Sequence, residues 1–284
     1  ELGCADPDQP CRLPNSFQAD PPLDMVKNRN IELGARGVKA YNLFGMNHNI
    51  NWNASAYAGR NFNDIIFIGG NRVGTGYFRN VGNTQRMGTE LGLNGKLGNK
   101  LSWYGNYSYV RATFETSQNI SSAGHSSNPF ECDGAIAGAT ANDQDTCESS
   151  EGYQIGVGPG DAIPGLSPHV TRIGIGYAPT ESFSMALDTE YNSNQFYRGD
   201  ENNHHGKKVP GYFLLNASAE FKLPLKANSP FSTVFFLDGR NLLDTNFETG
   251  GIVAENEVEG TGGSGTFVTP GQPLSIMGGM HIRW

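Results

Sequence analysis

The stretch Leu274-Ser-Ile-Met-Gly-Gly-Met-His-Ile-Arg-Trp284 alternates large apolar side chains with polar or small ones. Successive side chains of a strand point to opposite sides, so Leu274, Ile276, Met280, Ile282 and Trp284 share one face. Ser275, Met277, Gly279, His281 and Arg283 share the other. One face suits hydrocarbon and the other suits water. A water-soluble β-sandwich can produce such a strand once, so the reading depends on whether the rest of the chain repeats it.

The rest of the chain does repeat it. Strand-like segments bounded by turn residues fall at about 27–37, 49–68, 76–96, 100–116, 168–178, 182–198, 210–223, 231–243 and 272–284. Leu101, Trp103, Tyr107 and Tyr109 alternate with Ser102, Tyr104, Asn106 and Ser108. Phe183, Met185, Leu187, Thr189 and Tyr191 alternate with Ser184, Ala186, Asp188, Glu190 and Asn192. Leu215, Ala217, Ala219, Phe221 and Leu223 alternate with Asn216, Ser218, Glu220 and Lys222. A second face carrying acids and asparagines along its length lines water, whereas the inner face of a sandwich is apolar. The pattern predicts an all-β, antiparallel transmembrane barrel.

Composition agrees. The 284 residues include 38 glycines and 11% aromatics, with a mean hydropathy of -0.44. No apolar run approaches the roughly 18 to 20 residues of a membrane helix. A barrel strand shows only every second residue to lipid, so low hydropathy does not argue against a membrane. A net charge of -8 and a pI near 5.2 leave no basic footprint for nucleic acid. The chain opens on Glu1-Leu-Gly-Cys4, without the features of a signal peptide.

Connections alternate in length. Leu97-Gly-Asn-Lys100, Ala178-Pro-Thr-Glu-Ser182 and the stretch 223–230 are short, whereas 117–167, 198–209 and 250–270 are long. Short turns on one rim and long loops on the other are the asymmetry of an outer-membrane barrel. Gly69 to Thr75 is short for the long-loop side. Nine readable strands give an odd number where bacterial single-chain barrels have an even one. The expectation is therefore a carboxy-terminal portion of a larger barrel, with further strands upstream.

Several residues could carry chemistry. Cys4 with Cys11 and Cys132 with Cys147 form two local pairs in polar loops, as expected of disulfides in an oxidising compartment rather than of clustered zinc ligands. Asp143, Asp145 and Glu148 form an oxygen-rich group that could hold calcium, without the full spacing of a calcium loop; solvated acids look the same. His204, His205, Lys207 and Lys208 could contact an iron chelate or another anionic ligand; a polar loop tip carries the same residues. Gly260-Thr-Gly-Gly-Ser-Gly-Thr266 lacks the lysine and helix of a phosphate loop and reads as a flexible loop. Asp188, Glu190 and Glu220 line the lumen, and no nucleophile with its base accompanies them, so no enzyme is expected. Trp103, Tyr107, Tyr109, Phe183, Tyr191, Tyr197 and Trp284 read as interfacial girdle residues.

Arg29-Asn-Ile-Glu-Leu-Gly-Ala-Arg-Gly37, the segments 62–67 and 77–91, Leu101-Ser-Trp-Tyr-Gly-Asn-Tyr-Ser-Tyr109, Ile163-Pro-Gly-Leu-Ser-Pro-His169 and Asn241-Leu-Leu-Asp244 resemble, in order, elements of the carboxy-terminal half of TonB-dependent outer-membrane receptors. Asn241-Leu-Leu-Asp244 is similar to the Asn-Leu-Phe-Asp box of the family's penultimate strand. The terminal strand resembles the signal read by the barrel-assembly machinery, with Gly279, Ile282 and Trp284 at its glycine and aromatic or apolar positions.

The resemblance implies a barrel of about 22 strands, of which residues 1–284 supply roughly the last nine. The plug domain, the amino-terminal strands and the segment that contacts TonB would lie outside this chain. It further implies an integral protein of the Gram-negative outer membrane, surrounded by lipid and lipopolysaccharide, powered by the TonB–ExbB–ExbD complex and needing no cofactor. The implied cargo is a scarce bulky nutrient, foremost a ferric siderophore or similar metal chelate. A passive porin, or uptake of cobalamin or an oligosaccharide, is the alternative.

Overall fold

The computed structural model describes residues 16–17, 21–43, 45–69, 75–122, 125–126, 154–224, 232–256 and 263–283. The described residues form strands and their connections. Nine strands make one antiparallel wall: β1 (Lys27–Leu43), β2 (Met46–Phe62), β3 (Thr84–Leu97), β4 (Leu101–Phe114), β5 (His169–Thr180), β6 (Phe183–Asn192), β7 (Tyr212–Lys222), β8 (Ser232–Arg240) and β9 (Ser275–Arg283). They pair in chain order, each with the next, and β1 and β9 are the two edges. Such a meander leaves every interior backbone group bonded to a neighbouring strand, which hydrocarbon demands.

Register decides which face is which. Directly paired residues point the same way, and Tyr177, Met185, Ala219, Leu237 and Gly278 follow one another across β5 to β9. Ile175 continues to Trp103, Gly95 and Ile50 in the other direction. The apolar set of every strand is thus in phase over the whole wall. None of the described residues covers it: Ile31, Leu33 and Ile276 are 73%, 80% and 68% exposed. An apolar surface of this extent marks a membrane or protein interface, and its run across an antiparallel wall with a polar opposite face fits lipid.

The opposite face is a polar lattice. Asn28 donates to Asn61 at 2.6 Å, and Asn51 to Asn94 at 3.0 Å. Tyr104 on β4 reaches over β5 to donate to Asp188 on β6 at 2.6 Å. It can do so because Gly174, directly between them in register, has no side chain; a Cβ there would lie 2.2 Å from the Tyr104 ring. Arg172 pairs with Glu190 at 3.3 Å.

The strand order puts the short connections β1–β2, β3–β4, β5–β6 and β7–β8 at one rim and the long connections β2–β3, β4–β5, β6–β7 and β8–β9 at the other. Aromatic groups mark both ends. Near the short turns Trp103 donates to His48 at 3.2 Å, and Tyr41 packs on that imidazole at 4.9 Å between centroids. Toward the long loops the Tyr107 hydroxyl lies 2.8 Å from His169 Nδ1, with Tyr109 beside it at 5.0 Å. Amphipathic rings at two heights are the expected interfacial anchors.

Several expected boundaries are corrected. The segments 49–68 and 76–96 are not single strands: each breaks above the wall, and Ile65–Gly69 pairs with Thr75–Asn80 as a separate ribbon. Asn63, at φ 55°, turns the chain out of the wall. Gly69 and Thr75 therefore belong to the two strands of an outward ribbon and not to the wall. The segment 182–198 also divides, since β6 ends at Asn192 and Gln195–Phe196 pairs with Lys208–Val209. The first strand runs on past residue 37 to Leu43.

Residues 241–244 lie just past β8 instead of within it, with Asn241 and Asp244 at φ 50° and 48°. Asn241 ties that corner together. It accepts from the Thr245 N–H at 2.9 Å and donates to the carbonyls of Thr245 and Gln272 at 2.9 and 3.1 Å.

The two faces make opposite predictions for adjacent residues. In the intact protein Leu187→Arg, on the apolar face, is expected to lower stability in phospholipid vesicles by roughly 2–4 kcal/mol, and Ala186→Arg, on the polar face, by under about 1 kcal/mol. Urea unfolding followed by tryptophan fluorescence measures both, and equal losses would contradict the assignment.

Candidate functional site

The long connections build a structure of their own. Phe114, at the outer end of β4, is fully buried with Ile68, Val81, Ile120, Ile155 and Val157. Ile68 comes from the 65–80 ribbon, Val81 follows it directly, and Ile120, Ile155 and Val157 come from a second ribbon, Gln118–Ser121 with Gln154–Val157. Asp64 anchors the first ribbon to the wall: Thr84 donates to it at 2.5 Å and Arg86 at 2.9 Å. Burial pushes the Asp64 carboxyl up, but the hydrogen bonds from Thr84 and Arg86 outweigh this and hold it below its ordinary value.

A second cluster joins the connections further along. The stretch 250–270, expected as a long connection with a flexible loop at 260–266, contributes a hairpin, Glu248–Asn256 with Gly263–Pro270. β-Forming Phe267, Val268 and Thr269 support that pairing. The hairpin docks on the 193–211 segment through Arg198 N–H to the Gly251 carbonyl, 3.1 Å, and Val253 N–H to the Arg198 carbonyl, 2.7 Å. Tyr197, Val209 and Val253 are buried at the junction. Tyr197 is 5% exposed there, so it is a loop-core residue and not a girdle residue.

Beside this junction lies a buried polar group. His125 Nε2 meets Asp200 Oδ1 at 3.0 Å, with neither side chain exposed. Asp200 Oδ1 also accepts the His205 N–H at 3.0 Å. Ser122 donates to the Gly199 carbonyl, and the Ser126 hydroxyl lies 3.1 Å from His205 Nδ1. Glu201 accepts the Gly199 N–H at 3.0 Å.

The cationic tip is split by this arrangement. His204, Lys207 and Lys208 are exposed, and Lys208 Nζ stands 3.9 Å over the Phe196 ring. His205 instead turns inward to Ser126, with its ring 5.5 Å from His125. In the wall, Asp188 and Glu190 are bound to Tyr104 and Arg172 respectively. A concavity of about 720 Å³ on the lumen side is lined in part by Asn49, Asn94, Lys96, Tyr104 and Asp188. An apolar depression of about 510 Å³ on the lipid side is floored by Ala217, Ala219 and Gly239.

Gly279 lies under Phe236, where a Cβ would stand 2.6 Å from the ring; Phe236 also stacks on His281 at 4.9 Å. Ile282 sits on the lipid side opposite Thr233. Trp284, Cys4, Cys11, Cys132, Cys147, Asp143, Asp145 and Glu148 lie outside the described residues. Among the described residues no group of three or more His, Cys, Asp or Glu side chains is placed to hold a metal ion.

The family model described as TonB dependent receptor-like, beta-barrel matches residues 8–242. The chain belongs to that family. Its solved relatives include the ferric-catecholate import receptor Fiu from E. coli K12, at 14% identity and a TM-score of 0.50 over 94% of this chain and 30% of that one. They also include the copper transporter OprC, at 15% identity and a TM-score of 0.53 over 90% and 30%. The ferric citrate transporter FecA matches at 17% identity and a TM-score of 0.52 over 90% and 31%. The chain thus spans about 30% of the length of these receptors. No curated protein matches it in sequence.

The family is an outer-membrane β-barrel class of receptors rather than enzymes, and the described wall is part of such a barrel. In this receptor barrel the outer core and the His125–Asp200 contact were not visible in the sequence. Their partners are far apart along the chain, and no local periodicity links them. Phe114→Ala is expected to remove roughly 3–5 kcal/mol from the outer core while β4 stays paired. Amide hydrogen exchange should then rise at Ile120 and Ile155 but not at Tyr104; an equal rise at all three would contradict a separate outer core.

Proposed function

We propose that this chain is the barrel wall and outer-loop portion of a receptor that takes up a scarce, bulky nutrient across the outer membrane, with a ferric siderophore or similar anionic metal chelate as cargo. Family membership supports a receptor. Relatives of the same fold are named for ferric catecholates and ferric citrate. The observation that carries the cargo class is local: in a chain of net charge -8, His204, Lys207 and Lys208 stand exposed together on an outer connection. A cationic tip on an acidic protein attracts and orients an anionic chelate.

On this reading the loops capture cargo and the lumen face of β4 to β7 forms part of the path. A plug carrying the TonB contact supplies the gate, and TonB with ExbB and ExbD supplies the energy. None of the residues here performs covalent chemistry. Lys207→Glu with Lys208→Glu is expected to weaken capture of a ferric chelate by roughly tenfold, equivalent to about 1.4 kcal/mol. Equilibrium binding of ferric citrate and of a ferric catecholate to the intact receptor measures this. Unchanged binding, or no binding of either chelate to the unaltered receptor, would overturn the assignment.

A further inference from the structure

Three outer connections meet at one buried point. The segment after β4 reaches in with His125, the segment between β6 and β7 with Asp200, Glu201 and His205, and the hairpin between β8 and β9 with Val253. Three atoms at this meeting point, Asp200 Oδ2, Glu201 Oε2 and His205 Nε2, are buried without a hydrogen-bond partner among the described residues. A buried polar atom without a partner is costly, and an unpaired buried charge far more so. Two adjacent acids can share such a place only if one of them stays neutral.

We propose that Glu201 is the pin of a proton-operated latch: neutral, it lets the three connections close on the His125–Asp200 contact and so positions the His204–Lys208 tip; ionised, it drives them apart. The residue number places Glu201 three positions before His204 on the same connection, and Asn202 bridges them by accepting the His204 N–H at 3.1 Å. The orientation of the exposed tip therefore follows from how this segment is seated. Glu201 touches no cargo on this reading; it is a positioning residue.

Burial pushes the Glu201 carboxyl up to about 7, against the pull of the Gly199 and Glu201 backbone N–H groups; Asp200 adds to the rise and His125 opposes it. The closed form therefore holds a proton that the open form releases. Glu201's contribution is fully present below the ordinary carboxyl value and is lost as pH rises through about 7. His205 works in the opposite sense. Burial, followed by the charge of His125, holds its ring below the usual imidazole value, with Lys207 acting the same way and Asp200 against. Its contribution is lost as pH falls through that range. Burial also raises the Tyr197 hydroxyl, which faces Glu248, so it stays neutral throughout. Arg198 packs against Gly165. The latch is tightest on the mildly acidic side of neutral and loosens toward alkaline pH.

The consequence for cargo rests on the capture reading above, but the latch itself is read without cargo. Intact receptor in outer-membrane vesicles is treated with subtilisin between about pH 6 and about pH 8.5, and cleavage within 199–206 is divided by cleavage in the 65–80 ribbon. The ratio cancels the protease's own pH dependence. It is expected to rise roughly tenfold in the unaltered protein and less than twofold in Glu201→Gln, which keeps the neutral shape. A flat ratio in the unaltered protein, or the same rise in Glu201→Gln, overturns the latch. The unaltered protein alone decides the matter if the variant does not assemble. An intact pH response in a receptor that binds no ferric chelate would count against the cargo reading and leave the latch standing.

Discussion

In-phase pairing across nine strands is the constraint on which everything else depends. A side-chain period of two means that a slip of one residue in any pair would turn an entire apolar set toward water and a polar set toward lipid. Here Tyr177, Met185, Ala219, Leu237 and Gly278 remain on one side across five strands. Backbone hydrogen bonds set the pairing, and the hydrocarbon environment penalises every alternative register. Lumen contacts such as Tyr104 to Asp188 then refine it, since that bond passes over Gly174, where a Cβ would meet the Tyr104 ring.

The wall also fixes where recognition can occur. Its strands shorten from 17 residues in β1 and β2 to 9 in β8 and β9, while roughly 9 to 11 suffice to cross a bilayer. The early strands carry on above the lipid and present Phe114 as a foundation for the outer core. The later strands stop sooner, and their outer connections are tied instead by Asn241 and by the docked 248–270 hairpin. Loops held at both places by buried contacts give the exposed His204, Lys207 and Lys208 a fixed setting.

Much of this was legible in the sequence, and the parts that were not share a physical reason. The period of two in 101–109, 183–191 and 215–223 placed three strands and both of their faces. The ribbon at 65–80 escaped notice because Ile65, Phe67, Tyr77 and Arg79 continue the strand pattern through the break. The left-handed Asn63, the contacts of Asp64 with Thr84 and Arg86, and the burial of Ile68 in the outer core create it. The glycines of 250–270 concealed a hairpin whose register comes from Ile252, Phe267 and Val268. The inward turn of His205 was invisible as well, because its partners Ser126 and His125 lie some 80 residues away. Period reports which face a residue occupies; it does not report contacts between separate loops.

The central claim is that alternate residues of one strand meet lipid and water. A nitroxide placed in turn at each position from 183 to 192 of the intact receptor in outer membranes, and relaxed by oxygen or by a water-soluble nickel chelate, tests it most directly. The account predicts oxygen access at Met185, Leu187, Thr189 and Tyr191 and chelate access at Ser184, Ala186, Asp188 and Glu190. Uniform chelate access along β6, or the opposite phase, would contradict it.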